Sequence, residues 1–361
     1  MLSPSQLEQI LNEYHDPLSQ MTLGESKTKI VIDLNNEKLT VNLTLGYPVK
    51  GHLPSLKTSI SALLEQQTGL SDIVVNIDWQ VTKHKVQQGV QGIKNVKNII
   101  AIASGKGGVG KSTTSVNLAL ALAAEGANVG ILDADIYGPS QPRMLGTSQK
   151  PESEDGKTIE PIESHGIQSM SIGFLIDEEQ PMIWRGPMVT QALEQMLNDT
   201  NWRDLDYLVI DLPPGTGDIQ LTLSQKVPVS GAVIVTTPQD ISLLDARKAL
   251  KMFEKVNVPV MGVIENMSTH ICSQCGHEEP IFGAGGGQTM ATEYDIDLLG
   301  SLPLDIKIRE DVDQGKPTVV AEPDGEIAQA YRSIAIAVAA RLAKQGKDYS
   351  SAFPNIVIKN D

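Results

Sequence analysis

Short apolar stretches alternate with longer amphipathic stretches along most of the chain. The apolar stretches have the length and composition of buried β-strands, and the longer ones have the helical period of about 3.6 residues. Strands are predicted at residues 99–103, 128–132, 205–210, 232–235, 260–264 and 298–300. Helices are predicted at residues 115–125, 187–198, 218–227, 241–256 and 326–344. Apolar strands that alternate with helices predict an α/β fold, in which a mostly parallel sheet is covered by helices on both faces.

The N-terminal part of the chain has a different pattern. Helices are predicted at residues 5–15 and 54–67, and strands at residues 29–34, 38–45 and 72–81. The resulting α-β-β-α-β order predicts a small α+β domain that precedes the α/β domain, and this part of the chain has no recognisable catalytic set of side chains. The predicted division of the chain is a small domain at 1–82, a linker at 83–98, the α/β domain at 99–345 and a tail at 346–361.

A glycine-rich stretch at residues 104–114, SGKGGVGKSTT, joins the first predicted strand of the α/β domain to its first helix. Gly105, Gly110, Lys111 and Ser112 fit the phosphate-loop pattern G-x-x-x-x-G-K-[S/T]. Glycines permit the sharp turn and the close approach of a phosphate, and the helix N-terminus then faces that phosphate. The alternative is a turn that binds nothing, which the complete pattern in its strand–helix setting disfavours.

We therefore predict that this loop binds the phosphates of ATP. Lys111 is expected to neutralise the β- and γ-phosphates, and the Ser112 hydroxyl is expected to ligate Mg²⁺. The predicted nucleotide-binding residues of the loop are Gly105, Lys106, Gly107, Gly108, Val109, Gly110, Lys111, Ser112 and Thr113. Lys106 is a second lysine in the loop, and within one subunit it has no obvious role.

Aspartates stand at the ends of two further predicted strands. Because ligands bind beyond the carboxyl ends of parallel strands, these carboxylates and the glycine-rich loop are expected to share one crevice. Asp211, which stands shortly before the sequence PPG, is placed like the Walker-B carboxylate that holds the metal's water shell. Asp135, or with less support Asp133, is expected to orient the attacking water. Each aspartate could instead cap a helix.

Composition and charge narrow the class of protein. The 361 residues are 40% hydrophobic and 20% charged, which is typical of a globular protein long enough for two domains. The 29 Lys and Arg residues stand against 44 Asp and Glu residues, and the resulting charge of −15 argues against non-specific nucleic-acid binding. Neither a signal peptide nor a run of about 18 apolar residues is visible. We expect a cytoplasmic protein with no nucleic-acid or membrane partner.

The chain has two cysteines, Cys272 and Cys275, which form a C-x-x-C pair in a loop after a predicted strand. Such pairs occur in zinc sites, redox dithiols and iron–sulfur cluster sites. One chain supplies two thiolates, whereas a [4Fe–4S] cluster usually takes four, so a two-fold dimer would complete the set. For a lone chain, a zinc site that includes His277 is the stronger competitor.

Several motifs resemble those of known families. GKGGVGKST, with lysines at both Lys106 and Lys111, resembles the deviant Walker A loop of the MinD, ParA and nitrogenase iron-protein superfamily. The stretches DADIYGPSQPRMLG at 133–146, MIWRGPM at 182–188 and DLPPGTGD at 211–218 are similar to those of the Mrp/ApbC family of iron–sulfur cluster carrier ATPases. The resemblance covers residues 99 to about 341, and the N-terminal part is similar to the small domain of bacterial members.

The resemblance implies a P-loop NTPase and a homodimer in which Lys106 reaches the nucleotide of the partner subunit. It also implies that Asn266 and the loop at 303–305 lie near the adenine. Cys272 and Cys275 from two subunits would bridge a labile cluster of the [4Fe–4S] type. The carrier would hand this cluster to apo iron–sulfur proteins, which are its expected recipients.

We therefore expect a cluster carrier that binds and slowly hydrolyses ATP with Mg²⁺, with Lys106, Lys111, Asp135 and Asp211 as its catalytic residues. The first alternative is a positioning ATPase of the MinD or ParA kind with structural zinc at the cysteine pair. That alternative lacks an obvious membrane anchor in the C-terminal helix and tail. The second is an electron-transfer reductase of the nitrogenase iron-protein kind, whose bridging cysteines are widely separated along the chain instead of adjacent.

Overall fold

The computed structural model describes residues 2–35, 38–87, 89–176, 186–272 and 274–348. Its strands are β1 (His15–Asp16), β2 (Met21–Thr22), β3 (Lys29–Asn35), β4 (Lys38–Leu45), β5 (Asp72–Trp79), β6 (Val96–Ala103), β7 (Val129–Asp133), β8 (Ile162–Ser164), β9 (Ile167–Ser171), β10 (Leu205–Asp211), β11 (Gly231–Thr236), β12 (Val260–Glu265), β13 (His270–Ile271), β14 (Glu278–Glu279) and β15 (Leu298–Ser301). Its helices are α1 (Pro4–Glu13), α2 (Leu53–Thr68), α3 (Lys111–Ala124), α4 (Gln141–Met144), α5 (Gly186–Asp199), α6 (Asp218–Lys226), α7 (Asp240–Lys255), α8 (Gly286–Tyr294), α9 (Ile306–Asp313), α10 (Thr318–Ala321) and α11 (Glu326–Ala343).

The largest sheet has eight strands in the order β15-β12-β11-β6-β10-β7-β9-β8. Neighbouring strands are parallel throughout, except that β8 pairs antiparallel with β9 at one edge. The predicted α/β fold with a mostly parallel sheet is therefore confirmed. Because the parallel strands share one direction, the carboxyl ends of β6, β7, β10 and β12 lie along one edge of the sheet.

Successive residues of β6 pack into different hydrophobic clusters. Ile100 and Ile102 belong to a cluster that includes α3 and α11, whereas Ile99 and Ala101 belong to one that includes α5 and Trp202. Neighbouring residues of a strand point to opposite faces of its sheet. Helices therefore cover this sheet on both faces, as the apolar strands predicted.

The predicted strands and helices of this part are all present, with ends displaced by a few residues. The largest displacement of a strand is at β6, which begins at Val96, inside the predicted linker. There Lys97 forms an ion pair with Asp206 of β10, with 2.7 Å between Nζ and Oδ1. Lys97 is therefore part of the sheet and not of a solvated tether.

The sequence pattern missed the short strand β9, the edge strand β8 beside it, and the helices α4, α8, α9 and α10. β9 was missed because buried serines break its apolar pattern: the Ser169 hydroxyl donates to the carbonyl of Ile162 at 2.8 Å. α8 was missed because it begins at Gly286 in a glycine-rich run, a composition that indicates a loop.

The N-terminal elements occur in the predicted α-β-β-α-β order, with the small hairpin β1–β2 added after α1. β3 and β4 are antiparallel and β4 and β5 are parallel, in the sheet order β3-β4-β5. α2 buries one apolar stripe, Leu56, Ile60 and Leu64. The domain boundaries predicted at residues 82 and 98 stay predictions. Residues 83–85, which belong to the predicted linker, pair with residues 346–348.

A buried carboxylate joins the N-terminal part to the end of the helix that follows the glycine-rich loop. Glu125, directly after α3, is 2% exposed. Its carboxylate accepts a hydrogen bond from the backbone N–H of Gly51 at 2.8 Å and forms an ion pair with Arg332 of α11 at 2.7 Å. Three separate parts of the chain therefore meet at one side chain. A helix that could cross a membrane, by length and apolar composition, is absent from the described residues.

Candidate nucleotide and cysteine sites

The glycine-rich loop runs from the end of β6 to the start of α3, so its setting is the predicted strand–loop–helix. Gly108 and Gly110 have φ angles of 82° and 80°, in the left-handed region that glycine adopts without strain. At Gly110 a Cβ would also lie 2.2 Å from the side-chain nitrogen of Asn266. The backbone of the loop is therefore shaped by its glycines, as expected for a phosphate-binding loop.

Gly105 has a different reason to be glycine. A Cβ there would lie 2.0 Å from the backbone carbonyl carbon of Asp245 in α7. The first turns of α7 therefore lie directly against the start of the loop. Two exposed apolar side chains of α7, Ile241 at 66% and Leu244 at 49%, lie on these turns.

Lys111 and Asp211 form a buried ion pair at the carboxyl edge of the sheet. The distance from Lys111 Nζ to Asp211 Oδ1 is 2.5 Å, and the side chains are 6% and 0% exposed. The same carboxylate oxygen accepts a hydrogen bond from the Ser115 hydroxyl at 2.8 Å, and Lys111 Nζ also lies 3.3 Å from Ser112 Oγ. The structure thus brings together the predicted lysine, serine and Walker-B-like aspartate.

Gln141 is a site residue that sequence reasoning missed. Its side-chain nitrogen donates to Asp211 Oδ2 at 3.2 Å and to the carbonyl of Ser112 at 3.1 Å. Its side-chain oxygen is buried and has no hydrogen-bond partner among the described residues, and the same holds for the Ser140 hydroxyl. The available signal was its position in DADIYGPSQP, eight residues after Asp133, but that spacing alone does not indicate contact with Asp211.

Asp133 is fully buried beside Asp211, with which it is paired in register across β7 and β10. Its carboxylate accepts hydrogen bonds from the backbone N–H groups of Ser140 and Gln141, at 2.9 and 3.1 Å, where α4 begins. Burial and the charge of Asp211 raise the pKa of Asp133 to about 7. These contacts of Asp133 agree with the alternative role considered for each aspartate, which is to cap a helix.

Asp135 lies two residues further along the chain and is partly exposed. Burial raises the pKa of Asp135, while the nearby positive charge of Lys111 opposes that effect. The Asp133 carboxylate also accepts a hydrogen bond from the Ser171 hydroxyl at 3.1 Å, whereas that of Asp135 forms no hydrogen bond to another side chain in the described part of the chain. Asp135 is thus the acid of this pair that is open to a ligand or to water.

The oxygen donors of this crevice suit a hard divalent cation. Mg²⁺ prefers carboxylate, hydroxyl and amide oxygens, and the Ser112 hydroxyl, the Asp211 carboxylate and the unpartnered oxygen of Gln141 are of these types. The donor set therefore fits Mg²⁺ bound together with a nucleotide.

Lys106 differs from Lys111 in its surroundings. The loop holds its backbone, because the Ser104 hydroxyl donates to the Lys106 carbonyl at 2.9 Å. Its side chain is partly exposed, and its ammonium group has no ion pair or hydrogen bond within the described ranges. The structure therefore shows one buried and paired lysine and one unpaired lysine in the same loop.

Asn266 connects this loop to the strand that leads to the cysteine pair. It follows β12 directly, and its side-chain nitrogen donates to the carbonyl of Val109 at 2.9 Å. Beyond it the chain forms the hairpin β13–β14, which is anchored by the bond from the Leu304 N–H to the carbonyl of Thr269 at 2.7 Å. Asn266 is in contact with the loop, and whether it contacts an adenine stays a prediction.

The cysteine pair lies at the tip of this hairpin. The N–H of Cys272 donates to the carbonyl of His277 at 2.9 Å, and that of Gly276 to the carbonyl of Cys272 at 2.8 Å. Cys275 is exposed, and both thiols are free of disulfides. Hydrogen bonds from the backbone N–H groups of Gln274 and Cys275 lower the pKa of the Cys272 thiol.

Around the cysteine pair, the described residues form no metal site with three protein ligands. In the described part of the chain, no group of three or more His, Cys, Asp or Glu side chains is arranged to hold a metal ion. His277, the expected further ligand of a zinc site, is exposed. Residues 182–185 of MIWRGPM, with Trp184 and Arg185, and the spacer Ser273 lie outside the described residues.

A parallel sheet, a glycine loop before a helix, and an aspartate on the adjacent strand together define the class of the protein, a P-loop NTPase. The chain belongs to the ParA-type family described as NUBPL iron-transfer P-loop NTPase, whose model matches residues 95–339.

Curated relatives share most of this chain's length. It is 56% identical over 338 residues to the "Iron-sulfur cluster carrier protein" of Escherichia coli strain K12, covering 93% of this chain and 92% of that protein. It is 52% identical over 252 residues to the "Iron-sulfur cluster transfer protein NUBPL" of Mus musculus, covering 69% and 79%. Among solved structures, the nucleotide-binding protein in complex with ADP from Archaeoglobus fulgidus is 38% identical, with a TM-score of 0.56 over 64% of this chain and 90% of that one.

Proposed function

We propose that the protein binds and hydrolyses ATP and carries an iron–sulfur cluster, which it delivers to apo iron–sulfur proteins. The observation that carries the proposal is the occurrence, in one chain, of a complete phosphate loop and a cysteine pair that is partly exposed at Cys272 and exposed at Cys275, on the same edge of the sheet. The names of the Escherichia coli and mouse relatives, a cluster carrier and a cluster transfer protein, support the cargo.

The nucleotide is held at the glycine-rich loop, with Lys111 on its β- and γ-phosphates. The left-handed glycines leave backbone N–H groups free to surround the phosphates. The ADP in the Archaeoglobus fulgidus structure supports a nucleotide as the ligand. When the nucleotide binds, the Lys111 ammonium leaves the Asp211 carboxylate and contacts the phosphates instead. The Asp211 carboxylate is then released from the ion pair.

Hydrolysis then depends on the groups around the released carboxylate. Ser112 and Asp211 would hold Mg²⁺, and the ion would neutralise the negative charge that develops on the phosphates during the reaction. Asp135, partly exposed and open to water, orients the attacking water. Lys106 acts on the nucleotide of a partner subunit, which accounts for a lysine that is unpaired among the described residues of its own chain.

We propose a homodimer that is formed around the loop. The loop that carries Lys106 begins against α7, since Gly105 lies beside Asp245 of that helix, and the side chains of Ile241 and Leu244 on α7 are exposed. Adjacent exposed apolar side chains are typical of a surface that is covered by a partner. A second copy is the partner that would also give Lys106 a phosphate to contact.

The cluster is bound between the two cysteine pairs of the dimer. Cys272 and Cys275 supply two thiolates per chain, and a [4Fe–4S] cluster usually takes four. The lowered pKa of the Cys272 thiol favours the thiolate, the form that binds iron. The pair lies on a small hairpin with Cys275 exposed and Cys272 partly exposed, so it is accessible to an apoprotein, as delivery of the cluster requires.

Anaerobic reconstitution with iron and sulfide tests the cargo. We expect about four irons and four sulfides per dimer, with cluster absorbance that is absent from a Cys272→Ala, Cys275→Ala variant. Zinc in the purified protein together with failure to take up iron would contradict the proposal and favour the positioning ATPase.

A second experiment tests whether ATP acts on the cluster. We expect ATP with Mg²⁺ to change the rate at which the loaded protein transfers its cluster to an apoprotein, because Asn266 connects the glycine-rich loop to the strand that leads to the cysteine hairpin. A Lys111→Ala variant should load and transfer at one rate with or without ATP. An unchanged ATP response in that variant would show that the two sites are not coupled.

A further inference from the structure

The side-chain amide of Gln141 lies between two acceptors of the nucleotide crevice. Its nitrogen donates to Asp211 Oδ2 at 3.2 Å and to the carbonyl of Ser112 at 3.1 Å. A primary amide has two N–H donors, and both are used in these bonds. The opposite orientation would place the amide oxygen against two acceptors, so the contacts decide which end of the amide faces Asp211.

The two oxygens of the Asp211 carboxylate have different partners. Oδ1 accepts from the Lys111 ammonium and from the Ser115 hydroxyl, the latter at 2.8 Å. Oδ2 accepts from Gln141 and from no other side chain of the described residues. The bond from Gln141 is therefore separate from the ion pair, and it can remain when Lys111 leaves Asp211 for a phosphate.

The backbone of Gln141 is held next to the end of the Asp211 strand. The N–H groups of Ser140 and Gln141 donate to the Asp133 carboxylate at 2.9 and 3.1 Å. Asp133 is paired in register with Asp211 across β7 and β10. Pro142, the next residue of α4, is buried, and Gln141 itself is fully buried. The start of α4 therefore keeps the Gln141 side chain within reach of Asp211.

We propose that Gln141 is a positioning residue for ATP hydrolysis, which holds the Asp211 carboxylate in place after Lys111 has left it for the phosphates. This assignment rests on the proposed function. A carboxylate in a metal site depends on hydrogen-bond partners for its orientation. Gln141 supplies such a partner without a positive charge, so the negative charge of Asp211 stays available to Mg²⁺.

The other end of the amide supports the same assignment. Gln141 Oε1 is buried and has no hydrogen-bond partner among the described residues. Buried acceptors in proteins are usually satisfied, and Mg²⁺ usually keeps several of its water molecules when a protein binds it. Such water molecules donate hydrogen bonds. The nitrogen of Gln141 therefore suits the carboxylate of the metal site, and its oxygen suits the hydration shell of the ion.

Gln141→Met tests the assignment, since methionine is a similarly long and flexible side chain but cannot donate a hydrogen bond. We expect kcat of ATP hydrolysis to fall at least about tenfold, and the Mg²⁺ concentration for half-maximal rate to rise by a similar factor. The KM for ATP should change less than about threefold, because the loop and Lys111 still bind the phosphates. A merely structural role would lower thermal stability without separating kcat from KM.

Two further variants control for the substitution itself. Gln168→Met is the matched control, since Gln168 likewise donates to a backbone carbonyl, that of Arg203 at 2.9 Å, but belongs to the part of β9 away from Asp133. It should leave kcat and the Mg²⁺ dependence unchanged. Gln141→Asn keeps the amide on a shorter side chain and should lose activity in the same direction, so it carries the test if the methionine variant does not fold.

Calorimetry of ADP binding gives a readout that does not depend on hydrolysis. Mg²⁺ should tighten ADP binding about tenfold less in Gln141→Met than in the unmodified protein, whereas the two should bind ADP equally in EDTA. An equal effect of Mg²⁺ in the two folded proteins, or a higher KM with unchanged kcat, overturns the assignment. Absence of hydrolysis by the unmodified protein contradicts the proposed function instead, and calorimetry then decides by itself whether Gln141 positions Asp211.

Discussion

Lys111 and Asp211 neutralise each other in the centre of the nucleotide crevice, 2.5 Å apart and almost fully buried. The ion pair keeps the lysine beside the loop before a nucleotide arrives. It also holds the carboxylate that would otherwise be an unpaired buried charge. The pair therefore connects the stability of the protein with its ability to bind phosphate.

Lys111→Ala should lower the free energy of unfolding by about 3 kcal/mol, since it leaves a buried carboxylate without its partner. Adding Asp211→Asn should recover part of that loss, because the neutral amide no longer needs a counter-charge. Urea unfolding of the two single variants and the double variant measures the coupling. Additive effects in this cycle would show that the ion pair does not stabilise the fold.

Lys106→Ala should leave stability almost unchanged, within about 0.5 kcal/mol, since the Lys106 ammonium has no partner in the part of its own chain that the structure describes. ATP hydrolysis should nevertheless fall at least about tenfold, since the lysine acts on the partner's nucleotide. Lys57→Ala, on the exposed side of α2, is the matched control. A loss of stability together with activity would instead indicate a role within one subunit.

Gly105→Ala should destabilise the protein by about 1–3 kcal/mol, because its Cβ would collide with the backbone of α7. The contact of 2.0 Å is with a carbonyl carbon of Asp245, which side-chain movement does not relieve. At Gly107 the nearest atom to an added Cβ is Pro214 Cγ at 4.0 Å, so Gly107→Ala is the matched control. Thermal unfolding of the two variants measures the difference, and equal values would contradict this account.

The fold and the loop could be predicted from the sequence because their signals are local. Apolar runs of strand length predicted the parallel sheet, and Gly105, Gly110 and Lys111 predicted the loop from spacing alone. The position of Asp211 in the crevice was also predicted, because an acidic residue at the carboxyl end of a buried parallel strand lies at the edge of the sheet where ligands bind. In each case a few adjacent residues carry the information.

The partners of these residues could not be predicted, since they depend on contacts between distant segments. Gln141 reaches Asp211 only because α4 folds back over the end of β7, and α4 is too short to have a helical pattern. Asn266 reaches Val109 because β12 and β6 end at the same edge of the sheet. The capping contacts of Asp133 likewise became visible only with the start of α4.

The buried pair of Asp16 and His52 predicts a dependence of stability on pH. Burial by itself would raise the pKa of Asp16, but hydrogen bonds and the charge interaction with His52, together with bonds from Ser19, lower it below its usual value. A carboxylate whose pKa is lower in the folded state stabilises the protein above the unfolded pKa of about 3.9. That contribution is lost as the pH falls through the folded-state pKa.

Asp16→Asn should therefore lower stability most at pH values above about 4, and the difference from the unmodified protein should shrink in more acidic solution. Urea unfolding at a series of pH values between about 3 and 7 measures this. Asp324→Asn, at an exposed position near α11, is the control and should leave the pH dependence unchanged. A constant difference across the series would mean that the charge of Asp16 does not contribute.

Asn266→Ala should weaken the connection between nucleotide and cargo while leaving both sites present. The Asn266 side chain is the contact between the carbonyl of Val109 in the loop and the end of β12, six residues before Cys272. Without it, a movement of the loop on ATP binding has one contact fewer with the cysteine hairpin. We expect normal iron uptake, ATP affinity reduced less than in Lys111→Ala, and a smaller effect of ATP on cluster transfer.

The measurement is the rate of transfer to an apoprotein, followed by absorbance, over a range of ATP concentrations. Asn198→Ala is the matched control, since Asn198 is exposed on α5 and bonds only within its own helix. If saturating ATP restores the full effect in Asn266→Ala, the residue contributes to nucleotide affinity alone. A reduced effect at saturation means that Asn266 transmits the change, because affinity no longer limits the response there.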